Sequence, residues 1–298
     1  MNSLTAEQTA LGTANQQLVP NPFYRIITDP TSTLSLPTIQ AGQLLRPFPQ
    51  YTSVIADFPS LGNSQYHSLQ MKVEKRFSKG YTLLAAFTAG KSINDASQDM
   101  YGPVSGIQDP TNLRMERSLD PQDVSKRLVL SGVGICPSDG EDCWVRHGRN
   151  RWICCWAVGR SMIVSFQSGL PLVMTSTGAP RPDRVAKGTP LSGPIQGRLD
   201  RAFDTTAFAV PPAFTFGNSS RTAPDLRTHG IANYDISLFK SWRLHELMKL
   251  QFRMESFNTF NRVQFGPPGT QAGTTSFGVI TSQFNVPRQI QFAMKLIF

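Results

Sequence analysis

Every cysteine of this chain lies in one stretch, CPSDGEDCWVRHGRNRWICCWAVGR, running from Cys136 to Arg160. Cys136, Cys143, Cys154 and Cys155 share it with His147 and three of the four tryptophans. Thiolate and imidazole are the ligand types that hold zinc, but structural zinc sites use pairs such as Cys-x-x-Cys. That spacing is absent, and the adjacent Cys154 and Cys155 are badly placed to bind one ion. A disulfide is the alternative, and it suits an exported protein. Elsewhere the chemistry is sparse. His67, His229 and His245 stand alone with no carboxylate at metal-ligand spacing, and Phe166-Gln167-Ser168-Gly169 lacks the Gly-x-Ser-x-Gly of a nucleophile elbow. No glycine-rich phosphate loop occurs. The expectation is no enzyme, no cofactor and no metal.

The elements that would position any site read as strands. In QYHSLQMKVEKRF, Leu69, Met71, Val73 and Phe77 fall on one face and Ser68, Gln70, Lys72, Glu74 and Arg76 on the other. Ser78-Lys79-Gly80 then supplies a tight turn into Tyr81, Leu83, Ala85 and Phe87, which alternate with Thr82, Ala86, Thr88 and Gly90. The pattern returns where Tyr234, Ile236 and Leu238 oppose Asp235 and Ser237, and again where Met248, Leu250, Phe252 and Met254 oppose Lys249, Gln251, Arg253 and Glu255. The last segment puts Ile290, Phe292, Met294, Leu296 and Phe298 on one face. Val124 to Ile135 and Ala157 to Gln167 are weaker strands of the same kind.

Composition agrees with many strands joined by long loops. The 298 residues include 23 Gly, 22 Pro and 19 Phe, with only 16% charged. The net charge of +9 comes from Lys and Arg scattered singly, which argues against a nucleic-acid surface. The opening MNSLTAEQTALGTANQQL has no basic region followed by an apolar stretch, so no signal peptide is read there. No apolar run reaches the roughly 18–20 residues of a spanning helix. Two options follow: a cytoplasmic soluble protein, or a piece of an exported one whose front end is missing.

Alternation alone fits a soluble sandwich as well as a membrane barrel. Three features favour the barrel. Full charges occupy mid-strand positions in strands of about ten residues, the length that crosses a bilayer when tilted. Connections alternate between short ones (Ser78 to Gly80, Arg243 to Glu246) and long ones (Ser92 to Gln122, Ser168 to Ala232, Asn261 to Pro287). Phe77, Tyr81, Trp242 and Phe298 gather at the short-turn ends, where an interfacial girdle belongs. The predicted fold is all-β, a partial transmembrane antiparallel β-barrel of about seven or eight strands with long extracellular loops. Lys72, Glu74, Arg76, Lys249, Arg253 and Glu255 are then lumen-facing, with opposite signs on neighbouring strands expected to satisfy one another. A plug in an intact barrel is the other surface they could meet.

The blocks GNSQYHSLQMKVEKRFSKGYTLLAAFT, QDPTNLRMERSLDPQDVSKRLVLS, SFQSGLPL, FGNSSRTAPDLRTHGIANYDISLFK, LQFRMESFNTFNRVQFGPP and FGVITSQFNVPRQIQFAMKLIF resemble the carboxy-terminal barrel region of Oar-like TonB-dependent receptors. The resemblance runs in order from about Asn21 to Phe298 and breaks around Cys136 to Arg160. It implies an outer-membrane barrel of about 22 strands when complete, with a plug and a TonB-contacting segment that have no counterpart here. By that reading residues 1–298 are a carboxy-terminal fragment: 1–60 mostly loop, 65–298 strands and loops. Implied partners are outer-membrane lipid, the barrel-assembly machinery, and in the intact parent a plug domain and TonB, with no nucleic acid. Phe292, Met294, Leu296 and Phe298 resemble the carboxy-terminal signal read by the assembly machinery, physically an amphipathic strand able to pair with another sheet edge.

In such receptors the place held by Cys136 to Arg160 carries a short turn of the kind Leu-Pro-Phe-Gly-x-Gly. Degenerate codons for Ile135 to Glu141 permit that turn in a shifted frame. We therefore read 136–160 as a turn bracketed by two compensating frameshifts, and place no functional residue in it. Two polar groups remain at the long loops: Asp109, Asn112, Arg114, Glu116, Arg117 and Asp120, and Arg221, Asp225, Arg227 and Asp235. Arg114, Arg117, Arg221, Asp225 and Arg227 are candidate ligand contacts at the outer mouth. The favoured reading of both groups is loop-anchoring ion pairs and Asx turns. A small self-standing outer-membrane protein with a structural or adhesive role, and a soluble β-sandwich binding module, stand as alternatives to the receptor fragment.

Overall fold

The computed structural model describes residues 2–54, 62–78, 80–95, 107–109, 111–135, 158–245 and 248–298. Seven long strands carry the architecture: β1 Ser64–Ser78, β2 Tyr81–Asn94, β3 Lys126–Ile135, β4 Val158–Gln167, β5 Ile231–His245, β6 Met248–Phe257 and β7 Gln289–Ile297. They pair in sequence order into one antiparallel meander, and the two-residue strand Ser118–Leu119 adds to the end of β2. The sheet does not close, because β1 and β7 are its two edges and do not pair with each other. This is the partial barrel that the alternation predicts.

Register explains why period two survives in three dimensions. Along one row, Met71 pairs with Phe87, Phe87 with Leu128, Leu128 with Phe166, and Phe166 with Ala232. The next row runs Val73, Ala85, Leu130, Val164 and Tyr234. On the far side Leu238, Met254 and Phe292 are aligned, as are Phe252 with Met294 and Leu250 with Leu296. A slip of one residue in any ladder would turn that strand's apolar set to the other face. The register shifts of β1 with β2 and of β5 with β6 fall at the short-turn ends, between Lys75 and Ser78 and between Arg243 and His245, where they leave the band intact.

The apolar band is not a protein core. Met71, Val73, Phe292 and Met294 are 50%, 66%, 66% and 70% exposed. The buried core lies instead in the long connections, where Leu172, Met174, Phe203, Ala207, Phe208, Ala223 and Leu226 cluster. Phe203, Phe208 and Phe277 form an edge-to-face triangle with centroids 5.3–6.2 Å apart. Short ladders fasten this layer: Pro171–Val173 with Thr222–Arg227, Asp183–Arg184 with Phe208–Ala209, and Thr175–Ser176 parallel to Gln271–Ala272. Residues 2–54 hold only short helical turns and the pair Leu18–Pro20 with Thr38–Gln40.

Of the cysteine-rich stretch, residues 136–157 lie outside the described residues, so Cys136, Cys143, His147, Cys154 and Cys155 receive no structural account. The reading of a turn as far as Arg160 is corrected: Val158, Gly159 and Arg160 belong to β4, because they pair in register with Lys240, Phe239 and Leu238. A Cβ on Gly159 would stand 2.1 Å from the Phe239 ring, so the close ring contact needs glycine there.

Candidate functional site

Two surfaces could act: the polar face of the sheet and the loop layer at the end where β2, β4 and β6 finish. On the polar face, Lys72 and Glu74 pair at 3.0 Å and Arg253 and Glu255 at 3.4 Å. Both pairs lie two residues apart on one strand. That corrects the expectation of charge pairing between neighbouring strands. Across from Lys72 and Glu74 stand Ala86 and Leu84, and across from Arg253 and Glu255 stand Phe239 and Ser237. With no opposite charge at those registers, each ion finds its partner along its own strand. Glu255 also accepts a hydrogen bond from Gln291 of β7. The β1 group and the β6 group, which includes Lys249, share a face but are separated by four strands. Lys72, Glu74 and Arg76 line a hollow of about 540 Å³ with Thr82, Ser131 and Ser161. These exposed pairs contribute at most about 1 kcal/mol each.

The apolar face carries aromatic residues at both ends. At the turn end, Tyr81, Trp242 and Phe298 are exposed. Lys75 Nζ lies 3.1 Å from the Tyr81 ring centre and Lys240 Nζ 5.1 Å from that of Trp242. Both lysines thus extend toward the turn end of the sheet. At the loop end, Phe166, Tyr234 and Phe260 stack edge to face at 5.6 and 5.0 Å. A band of apolar strand residues between two aromatic belts, opposite a charged face, is the surface of a sheet that crosses a bilayer.

A model of the outer membrane beta barrel domain matches residues 3–291. The chain belongs to that family. No curated protein and no solved structure matches the chain. Among the described residues no helix is long and apolar enough to cross a membrane. A barrel domain crosses with strands, and family membership places it in the outer membrane.

The loop layer of this barrel domain is tied to the sheet by buried ions. Arg181 pairs with Glu116, both side chains wholly buried, and Glu116 also accepts from the Gln108 amide at 3.1 Å. Arg221, 1% exposed, donates to the Asn94 side chain at the end of β2 and to Ser118 Oγ at 3.3 Å. Burial lowers its pKa and nearby Glu116 opposes that shift, while a guanidinium stays a cation throughout. Arg227 donates to the Asp123 carboxylate at 2.6 Å and to the Asp123 and Gly169 carbonyls. Asp225 pairs with Arg184. Three of the five candidate outer-loop residues, Arg221, Asp225 and Arg227, are therefore occupied with anchoring. Arg114 and Arg117 are exposed, and Arg117 reaches Gln65 Oε1 at 2.8 Å.

Local turns complete the clamp. Asp109 caps Thr111, and Asp120 accepts from the Gln122 amide at 2.8 Å and from Asn94 at 3.0 Å. Asp235 accepts from the Asn258 amide at 2.9 Å. Asp95 accepts from the Asn63 amide and side chain, closing the entry to β1 against the exit of β2. These bonds hold the Asp95 pKa below its ordinary 3.8. The clasp is at full strength above that value and is lost as pH falls through the lower folded-state value. Protection of the Asn63 amide from hydrogen exchange, relative to its intrinsic rate at each pH, is expected to fall below about pH 4, and Asp95→Asn to remove most of that pH dependence.

Arg181, Arg184 and Asp123 escaped sequence reasoning as site residues, since each is an isolated charge in an irregular segment. Gly169 was legible as part of SFQSGLPL and as the glycine after Ser168, with no structural role read for it. A Cβ on it would stand 1.8 Å from the Thr228 carbonyl oxygen, where the Thr228 amide donates to the Leu170 carbonyl at 2.8 Å and the Leu170 amide donates to the Thr228 hydroxyl at 2.9 Å. Gly169→Ala is expected to cost about 1–3 kcal/mol by overpacking. Faster proteolysis between 168 and 175 is the measurement.

Proposed function

We propose that this outer-membrane barrel domain is the carboxy-terminal part of a TonB-dependent receptor, a gated transporter whose plug and remaining strands are supplied by sequence outside these residues. The observation that carries the reading is the open seven-stranded sheet. Bacterial single-chain barrels close with an even number of strands, at least eight. Among the described residues the seven long strands leave two unpaired edges, so a closed wall needs further strands. The sequence blocks from Asn21 to Phe298 support the receptor class, and the long loops gathered at one end suit a receptor's outer face.

On this reading Lys72, Arg76, Lys249 and their neighbours face the plug or the wet lumen. Phe292, Met294, Leu296 and Phe298 present the edge strand to the assembly machinery, which adds a strand to the free side of β7. The piece alone imports nothing and performs no catalysis.

The gene with its flanks tests this. Plug and leader sequence are expected upstream in a neighbouring frame, and a one-base shift should restore a short turn at the cysteine-rich stretch. An upstream region that encodes neither plug nor leader would overturn the receptor reading.

A further inference from the structure

The seven strands confine their acidic residues to one face. All three of their acidic residues, Glu74, Asp235 and Glu255, share the polar face, aligned with Leu84, Ile163 and Ser237. On the apolar face the charged residues are cations only: Lys75, Arg160 and Lys240 toward the turn end, Lys91 and Lys126 toward the loop end. A neutral solvent-facing surface would mix both signs. Cations alone, bordering an apolar band, match an anionic interface.

At the loop end this pattern becomes a pocket. Lys126, Arg262 and His229 rim a hollow of about 550 Å³ whose lower wall is Phe87, Leu128, Phe166 and Ala232, and no carboxylate lines it. Those four wall residues form one in-register row of the apolar band, so the hollow opens onto the membrane-facing surface. Among the described residues neither Lys126 nor Arg262 has a carboxylate within salt-bridge distance, whereas Arg181, Arg184 and Arg227 in the neighbouring loops all do. Among the described residues the buried imidazole Nδ1 of His229 has no hydrogen-bond partner, and its ring is held edge-on to Phe265 at 5.4 Å.

We propose that this hollow binds the phosphate headgroup of an anionic membrane lipid, with Lys126 and Arg262 pairing the phosphate, His229 completing the rim, and an acyl chain lying along Phe87, Leu128 and Phe166. The inference rests on outer-membrane insertion but not on the receptor class. The full chain is folded into phosphatidylcholine micelles and titrated with phosphatidylglycerol, and bound lipid is counted by native mass spectrometry. Phosphatidylglycerol is expected to be retained over phosphatidylcholine. A Lys126→Gln, Arg262→Gln double variant is expected to weaken retention about thirty-fold, two interfacial charges' worth. Lys240→Gln, at the opposite end of the same face, leaves it unchanged.

Equal retention of the two lipids by the unaltered chain overturns the proposal, as does full retention by the folded double variant. Displacement of the lipid by millimolar inorganic phosphate would show a free-phosphate site and overturns it too. Should the double variant not fold, retention by the unaltered chain must fall with added salt, and a salt-independent retention is equally fatal. Folding itself is followed separately by far-ultraviolet circular dichroism and by protection of the strands from protease, so failure to insert is distinguished from failure to bind.

Discussion

Glu116→Ala is expected to destabilise the loop layer by about 3–5 kcal/mol, the range for removing one member of a buried ion pair. Arg181 would keep its charge with no carboxylate against it, in a place where its side chain is 0% exposed and two of its three nitrogens already lack a protein partner. Glu116 also holds the Gln108 amide, and Gln108 in turn donates to the Gly217 carbonyl at 2.7 Å. Its loss therefore detaches the connection between β2 and β3 from the one between β4 and β5. The measurement is a denaturant titration followed by limited proteolysis at 107–125 and 178–222. Replacing both partners, Glu116→Leu with Arg181→Met, is expected to recover most of the loss, because two apolar side chains remove the uncompensated charge. A single-variant cost below about 1 kcal/mol would show that water reaches Arg181.

The second large effect separates the two faces of one strand. Leu130 aligns with Ala85 and Val164 on the apolar band, and the next residue, Ser131, aligns with Leu84 and Ile163 on the polar face. Both sit midway along β3. Leu130→Arg is expected to cost about 2–4 kcal/mol of folding free energy in a bilayer, since the guanidinium would sit at the hydrocarbon midplane. Ser131→Arg should cost little, because its side chain reaches the hollow shared with Lys72 and Glu74. Unfolding titrations of vesicle-inserted protein give the comparison directly. Similar costs at the two positions would contradict the assignment of faces, and similar near-zero costs would point to a sheet wet on both sides.

The strands were legible because a bilayer-facing sheet is a two-sided object. Leu69, Met71 and Val73 alternate with Gln70, Lys72 and Glu74 whatever lies around them, since successive side chains leave a strand on opposite sides. The short connections at Ser78 to Gly80 and Arg243 to Glu246 and the long ones elsewhere were readable for a related reason, as strands of about ten residues must reverse at each interface, although Arg243 and His245 belong to β5. The open sheet has the seven strands and the order that this reading requires.

The loop layer was not legible. Leu172, Phe203, Phe208, Leu226 and Phe277 follow no period, because they come from irregular segments that meet only after the chain has returned several times to the same end of the sheet. The same holds for Arg181 with Glu116 and Arg221 with Asn94, whose partners lie 65 and 127 residues apart. Sequence could name Glu116 and Arg221 as polar loop residues, but burial decides whether such a charge meets a ligand or holds the fold, and burial is a property of the assembled loops. The charge pairing on the polar face is a smaller instance, since register placed Ala86 and Leu84 opposite Lys72 and Glu74 and so turned the ions toward each other. Periodicity by itself determined the strands, their faces and the two ends of the sheet. Which residues anchor the loops and which remain open to a partner was decided only by the tertiary structure, because contacts between aperiodic segments leave no repeating mark in a sequence.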